Sequence, residues 1–368
     1  MKLSCRQNVL LNAVNNGMKA VTSKTTMPIL ECFLIEAYDS TIKITSNNME
    51  LGIETTIEGR VDEGGKIAVN AKMLSDILHK LPDETVHIEV DDKFYAFLKC
   101  GKFKCSIPGL SGEDYPEIQK IGKENPVRIS QYSLKQVIGQ TLFAVSDNET
   151  TKTMTGEHFE VNENELTISA LDGHRVAIRK ILLKENHDKV DVIIPGRTLG
   201  EISKIIEGDT EKDVEISISS NLILFETGNT IITSRLIEGN FVDINRVLNY
   251  DFDTVIKIDK KQLREDLDRS TLFVKESEKK PLIFDIEDNT LKLSMTTSIG
   301  SMVDEIDIEK NGDDLKIGFN PKFFLDVIRV IDDDEISLYF TKSKAPCFIK
   351  DDEVNPSYNY VIMPVNVI

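Results

Sequence analysis

The sequence repeats itself three times, with a period of about 125 residues. The segment from Asn70 to Leu81 matches that from Pro195 to Ile206, which in turn matches that from Asn320 to Ile331. Apolar residues occupy the same columns in each copy, at the i, i+3, i+4, i+7 spacing of one helix face. A chain with this periodicity is expected to contain three copies of one folding unit. The shared base of the three copies is Lys72, Arg197 or Lys322, and the shared acid is Asp76, Glu201 or Asp326.

Other elements recur with nearly the same spacing. Apolar residues at helical spacing predict an earlier helix around Leu10, Leu134 and Leu263 in the three copies. Alternating runs between the helices predict strands, which include Thr41–Thr45, Glu165–Ile168 and Thr290–Leu293. Longer strand runs at Phe94–Ile107, Val214–Ile237 and Ile336–Ile349 follow each second helix. The fold class is therefore α+β, with domains expected at residues 1–124, 125–250 and 251–368.

Composition restricts the class of protein. Of 368 residues, 40% are hydrophobic and 29% are charged, as in ordinary globular proteins. We expect no membrane span and no secretory signal, because no apolar run is long enough and polar residues interrupt the N-terminus at once. The five cysteines lack metal-ligand spacing, so reduced thiols and a cytoplasmic location are expected.

The net charge of −18 is unevenly distributed along the chain. The windows predicted as helices carry +9 over 85 residues, so the other 283 residues carry −27. If the helices line one surface, that surface is basic and can lie near a polyanion through contacts that read no base sequence. The alternative is that these bases belong to ordinary solvated helix faces.

No catalytic or nucleotide-binding motif of the common kinds is present, and no cofactor or metal site is expected. The segment Leu171-Asp172-Gly173-His174-Arg175 predicts a tight turn, and the corresponding residues of the other two copies differ from it. This divergence indicates a task that only the second copy performs. Asp172 and His174 could alternatively form a hydrolytic pair.

Five strings together resemble the bacterial sliding clamps, the beta subunits of DNA polymerase III, over essentially the whole chain. They are Met27-Pro28-Ile29-Leu30, Leu171-Asp172-Gly173-His174-Arg175, Ile194-Pro195-Gly196-Arg197, Leu236–Phe241 with Arg246-Val247-Leu248, and the apolar ending Val361-Ile362-Met363-Pro364-Val365. The resemblance implies a head-to-tail homodimer whose six domains form a ring, with helices inside and β-sheets outside. It implies a processivity factor that encircles duplex DNA and is not an enzyme.

The implied partners are double-stranded DNA, the catalytic subunit of DNA polymerase III, the clamp loader complex and other replication and repair proteins that carry a clamp-binding motif. The resemblance also implies a peptide pocket between the second and third domains. Its residues here are Met154, Leu171, Gly173, His174, Arg175, Val176, Val242, Arg246, Val247, Asn320, Phe323, Pro346, Val361, Ile362, Met363, Pro364 and Val365. Val242, Ile244 and Asn366 depart from the usual residues, so peptide preference is expected to differ.

The family pattern places Lys24, Lys152 and Arg197 against DNA. The positions of four more cations on the predicted helix faces add them to the expected DNA contacts: Arg6, Lys72, Lys80 and Lys322. The implied dimer seam pairs a strand of the first domain with one of the third. Its residues are Lys102, Lys104, Ile107 and Leu110 on one side, and Leu272, Phe273, Asp304 and Glu305 on the other. Besides the hydrolase, one alternative to a DNA clamp remains: a peptide-binding scaffold of three αβ modules without a DNA role.

Overall fold

The computed structural model describes residues 1–22, 25–248, 250–274 and 280–365, and of Arg246 only the backbone. Its helices are α1 (Gln7–Gly17), α2 (Ala71–Leu78), α3 (Gln131–Thr141), α4 (Gly196–Ile205), α5 (Asn245–Leu248), α6 (Lys260–Thr271) and α7 (Pro321–Ile328). Short 3-10 segments are Met18–Ala20, Pro28–Glu31, Gly112–Asp114, Leu142–Ala144 and Lys152–Thr155.

The strands, in chain order, are β1 (Lys2–Arg6), β2 (Cys32–Tyr38), β3 (Thr41–Asn47), β4 (Leu51–Glu58), β5 (Arg60–Glu63), β6 (Gly65–Asn70), β7 (Thr85–Val90), β8 (Tyr95–Cys100), β9 (Phe103–Ser111), β10 (Val127–Ser130), β11 (Gly156–Leu171), β12 (Arg175–Pro195), β13 (Asp213–Ile218), β14 (Leu222–Thr227), β15 (Thr230–Arg235), β16 (Thr254–Asp259), β17 (Leu282–Glu287), β18 (Thr290–Thr297), β19 (Gly300–Asp307), β20 (Glu309–Gly312), β21 (Leu315–Phe319), β22 (Glu335–Phe340), β23 (Cys347–Lys350) and β24 (Tyr358–Ile362).

The chain forms two compact units. Unit 1 contains residues 1–132 and 201–236, and unit 2 contains residues 133–200 and 237–368. The central sequence repeat is therefore divided between them. The domain boundaries expected from the repeat stay a prediction, because compactness groups the chain differently from sequence similarity.

Unit 1 is built on a thirteen-stranded sheet in the order β10-β13-β14-β15-β4-β3-β2-β6-β9-β8-β7-β1-β5. Five residue pairs join β15 to β4, so strands from the first and second repeats share one sheet. Helices α1 and α2 lie against each other, and Leu10, Val14 and Leu74 are buried at 1% exposure or less. Their apolar stripes thus provide the core that the sequence periodicity predicts.

Unit 2 contains a seven-stranded sheet, β11-β12-β24-β23-β22-β16-β20, and a four-stranded sheet, β19-β18-β17-β21. Strand β12 pairs with β24, so the second and third repeats also share a sheet. Helices α6 and α7 lie against each other, and Leu263, Leu267 and Phe324 have no exposed surface.

The described helices α1 to α7 include none long and apolar enough to cross a bilayer.

Capping side chains explain where two of the repeated helices begin. The Asn70 side chain accepts a hydrogen bond from the Met73 amide at 2.9 Å, and the Asn320 side chain accepts one from the Lys322 amide at 3.1 Å. These bonds satisfy amides that lack a partner within the helix. The helices predicted at 70–81, 195–206 and 320–331 are confirmed, with shorter bounds at their C-terminal ends.

Two expectations need correction. Each predicted long run contains more than one strand. Phe94–Ile107 contains β8 and part of β9, because the chain turns at Gly101 with φ of +52°; Val214–Ile237 contains β13, β14 and β15, and Ile336–Ile349 contains β22 and β23. The helices are also shorter than the windows used for the charge count, and Arg6 and Lys80 lie outside them. The helices proper therefore carry a smaller positive excess than expected, and part of the basic charge lies at their ends.

Candidate functional site

The β11–β12 turn in unit 2 carries the segment that diverges among the repeats. Gly173 adopts φ of +86°, a conformation that other residues rarely take. The Asp172 carboxylate accepts hydrogen bonds from the backbone amides of His174 at 2.9 Å and Arg175 at 3.1 Å. The Asp172 side chain therefore holds the turn in this conformation.

Arg175 joins this turn to the neighbouring helices. Its Nε donates to the Asp172 carboxylate at 3.0 Å, and its other nitrogens donate to the Asp326 carboxylate and the Phe143 carbonyl. The guanidinium also lies over the Phe323 ring, 4.7 Å from the centroid. The Arg175 side chain is only 12% exposed. We infer that Arg175 acts mainly by positioning, because each of its three guanidinium nitrogens already donates a hydrogen bond within the protein.

His174 and the C-terminal segment form the exposed rim of the site. The His174 ring stacks on Phe323 with centroids 5.9 Å apart, and the His174 carbonyl accepts from the Met363 amide at 2.8 Å. The Val365 amide donates to the Gly318 carbonyl at 2.8 Å. Because β24 also pairs with β12, the apolar chain ending continues along the sheet and is held beside the turn.

An apolar cluster forms the floor of the site. Leu171, Val176 and Val361 are buried together with Ile178, Tyr339 and Phe348, and the partly buried Met154 and Val247 pack against them. Such a surface, next to a few oriented polar groups, is the usual make-up of a site for a small ligand or short peptide.

A buried lysine lies near this cluster. The Lys350 ammonium is 4.6 Å from the Phe252 ring centroid and 4.7 Å from that of Tyr339. Burial lowers the pKa of Lys350 below its usual value. The ammonium donates to the Glu353 carbonyl at 3.1 Å, which keeps the buried group hydrogen-bonded.

The structure thus brings together most of the predicted pocket residues. Asn320 caps α7, one turn before Phe323, and Ile362 and Pro346 are buried on or beside strands β24 and β23. Val242 is 38% exposed and lines a separate polar cavity. The side chain of Arg246 lies outside the described part of the chain. Phe143 and Asp326 were not predicted as site residues, although Asp326 occupies the acid column of the repeat.

The geometry does not support a hydrolytic pair. Both Asp172 oxygens already accept hydrogen bonds from the turn and from Arg175. The His174 ring stacks on Phe323. The arrangement is that of a braced turn, since the carboxylate is occupied by structural donors.

The predicted DNA-facing cations are all exposed where the structure describes them. Lys72, Arg197 and Lys322 are each the second residue of their helix, α2, α4 and α7. A cation at a helix N-terminus is disfavoured by the helix dipole by roughly 0.3–1 kcal/mol, so helix stability does not explain this recurrence. Arg6, Lys80 and Lys152 are also exposed, and Lys24 lies outside the described residues. None of these six described cations forms an ion pair with a described acid.

The predicted seam strands both have a free edge within the described chain. Residues 103–108 of β9 pair with β8 on one side, and β19 is the last strand of its sheet and pairs with β18. Leu110 and Leu272 are exposed at 45% and 74%, whereas Phe273 is partly buried. An apolar groove of about 450 Å³, lined by Met73, Ile77 and Phe103 among others, lies beside β9 in unit 1.

Three seam residues differ from expectation. Ile107 is 1% exposed and packs in the core of unit 1, because alternate residues of β9 face inward. Asp304 already pairs with Arg269 at 2.9 Å, and Glu305 lies 3.8 Å from Lys292. The side chain of Ile107 is therefore unavailable to a partner, and the two acids offer Lys102 and Lys104 less free charge than expected.

Three repeats of a helix-and-sheet unit, whose sheets run from one repeat into the next, define a DNA-clamp fold. Models of the N-terminal, central and C-terminal domains of the DNA polymerase III beta subunit match residues 1–119, 128–243 and 245–366. The beta sliding clamp of Staphylococcus aureus is 32% identical over 99% of both chains.

Solved structures agree with this assignment. A beta subunit structure from Eubacterium rectale is 49% identical with a TM-score of 0.96, and the sliding clamp of Bacillus subtilis is 31% identical with a TM-score of 0.96. Both comparisons cover 100% of each chain. The chain belongs to the bacterial beta sliding clamp family, the beta subunits of DNA polymerase III.

Proposed function

We propose that this chain is a DNA polymerase processivity factor that works as a ring. Two copies associate head to tail, encircle duplex DNA and hold the polymerase near its template. The protein acts by tethering and carries out no chemistry of its own. Its location is the cytoplasm, where the clamp loader complex places it on DNA.

The pocket around the β11–β12 turn supports capture of short peptides. Its floor is apolar, and its rim offers the His174 ring and the exposed Met363. Burial of one or two apolar side chains contributes about 1.5–3 kcal/mol each, which suits partners that must exchange. We assign this site to the polymerase catalytic subunit, the clamp loader and repair proteins with a clamp-binding motif.

The observation that carries the DNA role is the repeated cation at the second position of three equivalent helices. The whole chain has a net charge of −18, yet Lys72, Arg197 and Lys322 are exposed and unpaired among the described residues. Cations of this kind contact phosphates without reading bases. They therefore favour a partner that is a polyanion and that can slide.

The seam surfaces support a head-to-tail dimer. The free edge of β9 carries Lys104, the outward face of β19 carries Val303, Glu305 and Asp307, and paired edges would add a ladder between copies. We place the exposed Leu272 of one copy in the apolar groove beside Phe103 of the other, since both surfaces are apolar. A mass near twice 41.5 kDa is expected in solution, and a stable monomer at micromolar concentration would contradict the ring.

The decisive test is topological. Clamp loaded by a clamp loader onto nicked circular DNA should be retained through gel filtration and released when the circle is linearised. The variant Lys72→Ala/Arg197→Ala/Lys322→Ala should load with a weaker salt dependence. Its log–log slope should fall by about 0.9 for each DNA phosphate that the variant no longer neutralises.

The matched control removes the same charge from exposed lysines outside the helices, as Lys93→Ala/Lys189→Ala/Lys344→Ala. This variant should keep the wild-type salt dependence. Retention on linear DNA equal to that on circles would favour a scaffold without an encircling role, and an equal change in both variants would remove the helix cations from the proposal.

A further inference from the structure

A polar cavity of about 690 Å³ lies in unit 2 between one face of the β11–β12 hairpin and the segment 239–248. Alternate residues of β11, among them His158, Glu160 and Ser169, line it together with residues of β12. This alternation follows from the two-residue period of a strand. The cavity includes Val242, but the rest of its lining differs from the predicted peptide pocket.

The cavity has an excess of negative charge. Glu160 lies directly opposite Asp191 in the register of the two strands, and like charges in that position destabilise a sheet. Lys180 is already paired with Glu165 at 3.1 Å. The His158 ring lies 2.9 Å from the Asp191 carboxylate, and Glu160 has no ion-pair partner among the described residues. Within the described part of the chain, Glu160 and Asp191 therefore face each other with only the His158 ring in ion-pair contact with either carboxylate.

Ser169 provides an independent indication of a ligand. It has no exposed surface, it lines the cavity, and its hydroxyl has no hydrogen-bond partner in the described structure. A buried hydroxyl left unpaired costs about 1–3 kcal/mol. A ligand that donates a hydrogen bond in the cavity would remove this cost.

The chemistry of the cavity restricts the ligand class. Its volume is that of a small-molecule site and exceeds the needs of a single ion. The described residues contain no group of three or more side chains suited to hold a metal ion. The lining is too acidic for an anion and too polar for an apolar ligand. An organic cation with ammonium groups fits the volume, the acidic lining and the polar lining, and it needs no cluster of metal ligands.

We propose that this cavity binds a small alkylammonium ligand of the polyamine class. One ammonium group lies between Glu160 and Asp191, and the Ser169 hydroxyl accepts a hydrogen bond from the ligand. The site is separate from the tethering function and does not depend on it. Occupancy would neutralise the opposed carboxylates and brace the segment 239–248, which also carries Val247 of the peptide pocket.

Calorimetry with spermidine as the probe tests this proposal on the full chain at low salt. Wild type should bind one spermidine per chain. Glu160→Gln/Asp191→Asn should weaken binding at least tenfold, because the two carboxylates that contact the ammonium group lose their charge. Ser169→Ala should weaken it about two- to fivefold through loss of one hydrogen bond.

The control variant Glu185→Gln/Asp188→Asn removes two exposed charges from β12 outside the cavity and should bind spermidine within twofold of wild type. Equal weakening in both double variants would show that only net charge matters and would overturn the site. Failure of wild type to bind millimolar spermidine would also overturn it.

Discussion

Two turns of the molecule adopt the same backbone conformation but differ in the side chains around them. The β3–β4 turn of unit 1 and the β11–β12 turn of unit 2 are 124 residues apart in the repeat. Asn48 accepts from the amides two and three residues later, as Asp172 does in its own turn. Met49 and Gly173 follow with φ of +74° and +86°. The repeat has therefore preserved the turn itself.

Side chains next to the turn make the difference. Where unit 2 has Arg175 and Val176, unit 1 has Leu51 and Gly52. Ile118 packs so closely over Gly52 that a β-carbon there would lie 2.5 Å from its Cδ1 atom, and the remaining cavity is only about 100 Å³. The Ile118 side chain fills the space beside the β3–β4 turn, whereas Arg175 braces the β11–β12 turn. A duplicated turn therefore provides a binding site only where the neighbouring side chains leave a groove open and hold the turn in place.

The strongest test of this comparison removes the brace. Arg175→Ala leaves the Asp326 carboxylate and the Phe143 carbonyl without their partner and should weaken binding of a labelled partner peptide about 10- to 100-fold. Arg235→Ala, which removes a bond to the Met49 carbonyl at the first turn, is the matched control. Fluorescence anisotropy should show near-wild-type affinity for Arg235→Ala. Equal losses in both variants would contradict a special role of the second turn.

A buried acid also separates the repeats. Glu157 is fully buried at a position where the other copies have Phe33 and Leu282, and burial raises its pKa to about 8. The Thr141 hydroxyl lies 2.9 Å from the Glu157 carboxyl and donates to the Val137 carbonyl at 2.8 Å, so a protonated Glu157 can donate to Thr141. A carboxyl with this pKa is mostly protonated in the folded protein at neutral pH.

This raised pKa predicts a pH-dependent stability. In the unfolded chain the carboxyl has a pKa of about 4.3. The contribution of Glu157 to the free energy of unfolding is therefore fully present below that pH. It is lost as the pH rises towards about 8, by at most about 1.4 kcal/mol per pH unit. Glu157→Gln should be more stable than wild type at pH 8 and gain less at pH 5, as measured by urea unfolding. Glu185→Gln, an exposed control, should follow wild type; a Glu157→Gln difference independent of pH would contradict the protonated carboxyl.

The packing of Ile118 beside the β3–β4 turn can be tested by a double mutant. Gly52→Ala should displace Ile118 and lower the free energy of unfolding by about 1–3 kcal/mol. In the Ile118→Ala background the same change should be nearly neutral. Gly139→Ala, on α3 with nothing within 4 Å of the added carbon, should be neutral or slightly stabilising. Additive effects of Gly52→Ala and Ile118→Ala would mean that the two residues do not compete for space.

The smallest expected effect concerns the backbone conformation that the β3–β4 turn of unit 1 and the β11–β12 turn of unit 2 have in common. Met49 adopts the conformation that Gly173 adopts without strain, so Met49→Gly should raise the free energy of unfolding by about 0.5–1 kcal/mol. Gly173→Ala should lower it by a similar amount. Thermal unfolding of both variants measures this; a loss of stability in Met49→Gly would show that the Met49 side chain matters more than its backbone.

Much of the fold could be predicted because its signals are local. Helices α2, α4 and α7 follow from apolar spacing within twelve residues, and the divergent segment at 171–175 is visible as a break in the repeat. Resemblance to a family supplied the pocket residues. The brace from Arg175 to Asp326 could not be read in this way, because the two residues are 151 positions apart.

The sequence by itself determined the threefold repeat, the alternation of helices and strands and the family, since periodicity and motifs are properties of neighbouring residues. Tertiary structure alone decided that Ile107 faces the core, that Asp304 is already paired, and that Ile118 fills the space beside the β3–β4 turn. These outcomes depend on which distant side chains meet, and packing in three dimensions determines that.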